Sequence, residues 1–100
     1  MSHSLTRIWI HSVWSTKNRF PFLEKNKKIK IVHHLSEIFE KSNCGVRIIN
    51  GTESHLHTLF LLNPNFSVKE ILKNVKGESS HWINQNDFFK AKFSWQIGYG

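Results

Sequence analysis

The sequence predicts an α+β fold in which two helices cover one face of a four-stranded antiparallel sheet. Two long stretches with helical periodicity alternate with extended apolar runs, and a capping pattern marks the start of the second helix. A short turn separates the two middle strands. The resulting order, β-α-β-β-α-β, is the ferredoxin-like arrangement. We expect the 100 residues to form one domain, residues 1–100, with a single modest core.

The first predicted element is a strand over residues 5–15. Successive side chains of a strand point to opposite faces, so Ile10 and Trp14 share one face while Trp9 and His11 share the other. Both faces carry apolar residues, which predicts an inner strand of the sheet. Residues 16–23 are a predicted loop, because Pro21 can neither donate to a ladder nor extend a helix from its preceding residue.

Residues 26–43 are predicted to form the first helix, since Ile31, Leu35 and Ile38 recur at helical spacing. Lysines cluster at its start, where the helix dipole favours anions. Either the positive charge of these lysines has a function, or the lysines form a solvated helix face. These lysines are Lys25, Lys27, Lys28 and Lys30.

The second helix has the clearest local pattern in the chain. Ser67 is followed three residues later by Glu70, which is a capping box, and the helix is predicted to begin there. Gly77 lies inside the helix, and we expect it to permit close approach by a neighbour or ligand. The predicted buried stripe is Val68, Leu72, Val75, Ser79 and Trp82.

Three further strands complete the predicted sheet. Residues 46–50 and 55–62 form an antiparallel hairpin across the turn at 51–54. Residues 91–97 form the last strand, after a polar break at 84–90.

The charge balance indicates a polyanionic partner. Fourteen Lys and Arg against seven Asp and Glu give a net charge of +7. Nucleic acid is the first candidate and an anionic membrane the second, while ordinary solubility charge is the alternative. No apolar run approaches the roughly 20 residues of a membrane span, and no signal peptide is recognisable. The single Cys44 excludes an internal disulfide and a cysteine zinc cluster. We therefore expect a cytoplasmic protein without a membrane partner.

Two histidines at the start of a predicted strand form the main candidate site. His55 and His57 are two residues apart and therefore share a face, whereas Leu56, Thr58 and Phe60 face a core. Two neutral imidazoles are good ligands for a divalent ion. The alternative is an exposed strand face without metal, because the chain holds seven histidines.

Four segments carry a family resemblance. Residues 9–19, Gly51 with residues 55–57, residues 76–84 and residues 95–100 occur in the order found in single-tyrosine transposases of the REP-associated and insertion-sequence type, which they resemble. His55-Leu56-His57 resembles the HUH motif of these enzymes, where U is a hydrophobic residue. Residues 76–80, Lys-Gly-Glu-Ser-Ser, and residues 95–100, Trp-Gln-Ile-Gly-Tyr-Gly, resemble two later family segments.

The resemblance implies DNA transposition and recombination: single-stranded DNA is cleaved and rejoined through a phosphotyrosine, usually at hairpin-bearing ends. It implies that His55 and His57 bind a divalent cation, Mg²⁺ or Mn²⁺, and that the protein is a homodimer. His11 is an expected active-site neighbour on the adjacent strand. The expected DNA contacts are Lys17, Arg19, Lys73, Lys76, Ser79 and Ser80. Trp9, Trp82 and Trp95 are expected either to stack on bases or to pack in the core.

Two departures from the family pattern shape the expected activity. The family commonly has Asp directly before the first motif histidine, where this chain has Ser54. The family nucleophile and third metal ligand lie on a helix beyond the Trp-Gln segment, which we expect this chain to lack. Tyr99, the only tyrosine, matches a non-nucleophilic family position and is a weak catalytic candidate. We therefore expect no catalytic activity.

Three alternatives remain at this point. The chain is a DNA-processing transposase or an inactive truncated copy of one, a non-catalytic module that binds single-stranded or hairpin DNA, or an RNA-binding ferredoxin-like domain. The last predicts exposed aromatic residues on the two central strands and no metal.

Overall fold

The computed structural model describes residues 7–96, which form three strands, two long helices and one short 3-10 turn. In chain order these are β1 (Trp9–Ser15), the turn Lys17–Arg19, α1 (Lys25–Lys41), β2 (Val46–Gly51), β3 (His55–Leu61) and α2 (Val68–Gln85). Both helices and the first three predicted strands are confirmed, with bounds close to the predicted ones. No helix of the described residues is long and apolar enough to cross a membrane.

The three strands form one antiparallel sheet in the order β1-β3-β2. Val13 pairs with His57 and Ser15 with His55, so β1 runs directly beside the candidate histidines. On the other side, Asn50 pairs with His57 and Gly51 with Leu56. Strand β3 is therefore central. Within residues 7–96, β1 is an edge strand, and the prediction of an inner strand is wrong there.

The predicted four-stranded sheet is corrected to three strands. The segment expected to form the last strand makes only one isolated bridge, between Thr16 and Trp95. Around this bridge Lys17 N donates to Ser94 O at 3.0 Å and Gln96 N donates to Ser15 O at 2.8 Å. Before it, Phe93 N donates to Asn84 Oδ1 at 2.7 Å and Asn84 Nδ2 donates to Phe93 O at 2.9 Å. These bonds remove Phe93 from ladder pairing. Ile97, the predicted end of the strand, lies outside the described residues.

A single core fills the space between the sheet and the two helices. The sheet contributes Trp14, Leu56 and Phe60, all at most 1% exposed. The fully buried helix residues Leu35, Ile38 and Phe39 of α1 and Val75 and Ile83 of α2 pack into the same core. Both helices therefore lie on one face of the sheet, as predicted, and the described residues leave the other face open.

The capping box at the start of α2 is confirmed. Glu70 N donates to Ser67 Oγ at 3.1 Å, and Ser67 N donates to Glu70 Oε1 at 3.0 Å. The bond from the Ser67 backbone, with the Ser67 side chain second, lowers the pKa of the Glu70 carboxyl. Two of the amide groups that a helix start leaves unpaired are thereby satisfied.

Candidate functional site

Strand β3 separates a buried row from an open row of side chains. Leu56, Thr58 and Phe60 are each 0% exposed and face the helices. The alternation of a strand then sends His55 and His57 to the opposite, open face. His57 is exposed and His55 is half-buried. Both imidazoles therefore lie on the face of the sheet that carries no helix in the described part of the chain.

The turn before His55 requires glycine at position 51. A Cβ atom added to Gly51 would overlap the carbonyl oxygen and carbon of His55. The same carbonyl accepts a hydrogen bond from Thr52 N at 2.9 Å, and Lys28 Nζ donates to Gly51 O at 3.0 Å. The tight approach fixes the backbone at the point where the first motif histidine begins the strand.

The Nδ1 atom of each motif histidine has a hydrogen-bonding partner. Ser54 Oγ lies 3.0 Å from His55 Nδ1, and His11 Nε2 lies 3.3 Å from His57 Nδ1. With hydrogen on Nδ1, each motif ring donates to its partner, and its Nε2 keeps the lone pair that a metal ion would use. Ser54, at the position where the family resemblance predicted Asp, is thus the partner of His55.

This donor set fits a divalent cation in part. Two imidazoles with oriented rings are suitable ligands, and hydrogen-bonded outer partners are typical of metal-binding histidines. Among residues 7–96, however, no group of three His, Cys, Asp or Glu side chains is placed to hold a metal ion. His55 and His57 would therefore need further ligands from water, substrate or residues beyond the described range.

A short loop joins the first strand to α1 beside the histidines. Its 3-10 turn exposes Lys17 and Arg19, two of the predicted DNA contacts. Thr16 N donates to Ser54 O at 2.9 Å, so the loop is attached to the residue that contacts His55. Asn18 and Arg19 adopt φ angles of 57° and 55°, a left-handed conformation uncommon for residues with side chains. The structure therefore brings these two cations to the histidine end of the sheet.

The predicted contacts on α2 lie on the other side of the sheet. The Nζ of Lys76 lies 5.7 Å from the ring centroid of Trp14, a core residue. Burial lowers the pKa of the Lys76 ammonium group. Lys73 is exposed, and Ser80 Oγ donates to Gly77 O at 3.2 Å. The structure therefore does not bring these α2 residues together with the histidine pair.

Ser79 has a packing role instead of the predicted DNA contact. It is 1% exposed, accepts a hydrogen bond from Trp95 Nε1 at 2.9 Å and donates to Lys76 O at 3.1 Å. A hydroxyl enclosed in this way is not available to DNA.

The three tryptophans considered for base stacking have different environments. Trp95 is 5% exposed in the core, whereas Trp9 is 44% exposed with the Arg47 guanidinium 6.0 Å from its ring centroid. Trp82 stacks on His34 at 3.9 Å between centroids. Tyr99 lies outside the described residues, so the structure assigns it no position.

Sequence reasoning did not single out Phe20, which is the most exposed aromatic residue of the loop at 54%. The pattern that would have indicated it is an aromatic residue directly after Arg19 and close to Lys17, in a loop that leads away from the first strand.

With this geometry in place, comparison with protein families identifies the class. The family model described as "Transposase IS200 like" matches residues 4–100, which is nearly the whole chain. The chain therefore belongs to the IS200-like transposase family. No curated protein shows significant similarity to it.

Solved structures support the fold. A crystal structure titled as a candidate transposase from Deinococcus radiodurans R1 matches with a TM-score of 0.89 at 17% identity, covering 100% of this chain and 81% of that one. A REP-associated tyrosine transposase bound to a REP hairpin matches with a TM-score of 0.66 at 13% identity. That match covers 100% of this chain and 59% of the other. At these identities the likeness concerns the fold.

Proposed function

We propose that this chain is a transposase-like protein that binds single-stranded or hairpin DNA at the open face of the sheet, with His55 and His57 as ligands of Mg²⁺ or Mn²⁺. The observation that carries the proposal is the arrangement of the two imidazoles, which share one face and have their Nδ1 atoms engaged by Ser54 and His11. A bound cation would neutralise charge on the non-bridging oxygens of a phosphodiester.

The roles of the chain's own residues follow from this arrangement. His11 and Ser54 would orient the two imidazoles and fix their tautomers. Lys17 and Arg19, exposed at the end of β1, would hold phosphates of the strand that reaches the histidines. The net charge of +7 supports a polyanionic partner, and one structural neighbour is described as bound to a REP hairpin.

Lys73, Lys76 and Ser80 would belong to a second DNA-contacting surface, because α2 packs on the opposite face of the sheet. Such a surface suits a hairpin that extends beyond the site of chemistry. Each phosphate contact should reduce the dependence of log affinity on log salt by about 0.7–0.9 when it is removed. We expect Lys17→Ala and Arg19→Ala to give this change, and Lys76→Ala to give less because its ammonium group packs on Trp14.

The metal assignment is tested by Mn²⁺ titration with NMR detection of the histidine rings. Mn²⁺ should broaden the signals of His55, His57 and the adjacent His11, and it should leave those of His33 and His34 on α1 sharp. His57→Ala should remove the effect at His55. Preferential broadening at His33 and His34 would show that the cation site lies elsewhere.

DNA binding without cleavage is the second candidate function. Tyr99 is the only tyrosine of the sequence and resembles a family tyrosine that is not the nucleophile. We expect that the chain, incubated with Mn²⁺ and a hairpin-flanked single-stranded oligonucleotide, gives no covalent adduct on denaturing electrophoresis. An adduct that disappears in Tyr99→Phe would instead make Tyr99 the nucleophile.

We also propose a symmetric homodimer. The open sheet face exposes Trp9 and Ile48 at the end of β3 away from His55, where they pair with Leu61 and Leu59. A second copy would cover this end and leave the histidine end to DNA. Light scattering at high protein concentration should give twice the chain mass, and a monomer mass would contradict the proposal.

A further inference from the structure

The exposed ring of Phe20 has no role in the function proposed so far. Phe20 follows Arg19 in the loop between β1 and α1 and is 54% exposed, although a buried aromatic ring is the ordinary arrangement for phenylalanine. Its neighbour Phe22 is only 7% exposed and belongs to the core. The loop therefore exposes Phe20 to solvent and buries Phe22 in the core.

Hydrogen bonds hold the loop in a fixed position relative to the histidine pair. Thr16 N donates to Ser54 O at 2.9 Å near its start, and Leu23 N donates to Glu53 O at 2.8 Å at its end. Thr16 Oγ1 also donates to the carbonyl of Phe20 at 2.6 Å. Because Ser54 contacts His55, the Phe20 backbone is connected to the proposed metal site through few intervening groups.

The ring of Phe20 packs against another aromatic ring. Its centroid lies 4.6 Å from that of Phe22, and Phe22 in turn packs edge-on against Phe89 at 4.9 Å. Phe20, Phe22 and Phe89 line a cleft of about 270 Å³ that opens to solvent. The Phe20 ring therefore packs against other aromatic rings and borders an open cleft. Such a surface can accept a flat ring by stacking.

The charges around the cleft favour a nucleic acid over a protein segment. Lys27 and Lys90 line it, and Lys17 and Arg19 are exposed in the same loop. Glu24 is the one carboxylate in the lining, and its Oε1 lies 3.9 Å from Lys27 Nζ. Cations around an aromatic platform are the combination that binds single strands, because the rings stack on bases while the cations hold phosphates.

We propose that Phe20 is a stacking platform for one unpaired base of the DNA strand whose phosphate lies at His55 and His57. The inference rests on the proposed function and adds to it the recognition of a base beside the site of chemistry. Stacking of this kind tolerates any base identity, because every base has a π-face.

The test measures binding of a fluorescent single-stranded oligonucleotide by anisotropy, with four variants. Phe20→Ala should weaken binding by at least about fivefold, the low end for one stacked base. Phe20→Leu, which keeps apolar bulk without a π-system, should also weaken it, and Phe20→Trp should retain wild-type affinity. The matched control is Phe66→Ala, because Phe66 is 43% exposed at the start of α2, away from the loop. It should not change affinity.

A second measurement identifies the base that stacks on the Phe20 ring. Abasic substitutions are moved along the oligonucleotide, and one position should weaken wild-type binding about as much as Phe20→Ala does. At that position the variant should lose little further affinity, which is the non-additivity expected for interacting groups. Equal additional losses at every position would overturn the inference.

Different outcomes would contradict the Phe20 inference and the proposed function. If the wild-type chain binds DNA and Phe20→Ala and Phe20→Leu bind equally well, Phe20 is not a stacking residue and the proposed function stands. If the wild-type chain binds no DNA, both are wrong. If Phe20→Ala abolishes a dimer without changing DNA affinity, the ring is a contact between copies of this chain and the inference is wrong.

Discussion

The two faces of β3 differ in what their side chains do. On the helix side, Leu56, Thr58 and Phe60 are fully buried and contribute to stability. On the open side, His55 and His57 hydrogen-bond with Ser54 and His11, respectively, and contribute donor atoms. Adjacent residues of one strand thus serve separate purposes. Substitutions on the two faces should therefore separate stability from binding.

The largest difference should come from Phe60→Ala. The ring is 0% exposed and packs 4.7 Å from the Phe39 ring, so its removal leaves a cavity. We expect the free energy of unfolding to fall by about 3–5 kcal/mol, against about 0.5 kcal/mol or less for His57→Ala on the open face. Urea denaturation measures both values. Similar losses for the two variants would contradict the division between the faces.

Gly51→Ala should have the next largest effect, because the new Cβ would force the His55 carbonyl to move. We expect a loss of about 1–3 kcal/mol, the usual size of local backbone strain, together with shifted His55 resonances. Gly77→Ala is the control. A Cβ at Gly77 meets nothing within 4 Å, so this variant should gain about 0.5–1 kcal/mol from helix propensity. A stable Gly51→Ala protein with unchanged His55 signals would show that the turn tolerates a side chain.

Two hydroxyl groups, one in the core and one beside His55, extend the comparison. Thr58 Oγ1 lies 2.5 Å from Ser12 Oγ in the core, and Ser12 also accepts from Trp14 Nε1 at 2.8 Å. Thr58→Val should cost about 1 kcal/mol of unfolding free energy, because Ser12 keeps its second partner. Ser54→Ala should leave stability nearly unchanged and alter the His55 tautomer seen in nitrogen chemical shifts. An unchanged tautomer would remove Ser54 from the proposed site.

The smallest effect concerns a histidine on neither face. Burial lowers the pKa of His34 below its ordinary 6.5, with nearby Glu37 and Glu78 acting in the opposite direction, and the His34 ring stacks on Trp82. The folded state therefore favours neutral His34, and its contribution to stability is present above pH 6.5 and is lost as the pH falls through the folded pKa. NMR titration should show Trp82→Ala raising the His34 pKa. No change would mean that Trp82 is not the cause.

Local patterns predicted most elements because their determinants lie within a few residues. The capping box at Ser67 and the alternation along β3 are local, and both were found as predicted. The prediction of a fourth strand was wrong for the described residues, where only a bridge at Trp95 pairs with the end of β1. The Asn84 side chain, nine residues earlier, occupies the backbone of Phe93 and keeps that residue out of a ladder. At Gly77 the sequence predicted close approach by a neighbour or a ligand, and no described residue comes within 4 Å of a Cβ placed there.

The candidate site was predictable only where one strand defines it. Alternation places His55 and His57 together. His11, 46 residues from His57, was expected nearby on the adjacent strand, but its contact with the His57 ring depends on the register between β1 and β3. Similarly, helical spacing groups Lys73 with Lys76 but does not show that the Lys76 chain folds onto Trp14. Both contacts depend on the packing of elements that are distant in sequence, and a local sequence pattern does not show that packing.

The attachment of the loop after β1 to residues 53 and 54 has a consequence for the order of folding. The β2–β3 hairpin closes over a few residues and forms the motif turn early, whereas β1 must close a chain segment of about forty residues to reach it. His11, Lys17 and Phe20 all arrive with β1. A nascent or partly unfolded chain would therefore carry the two histidines without the groups that orient them or receive DNA, and binding competence would appear only at the final docking of the edge strand.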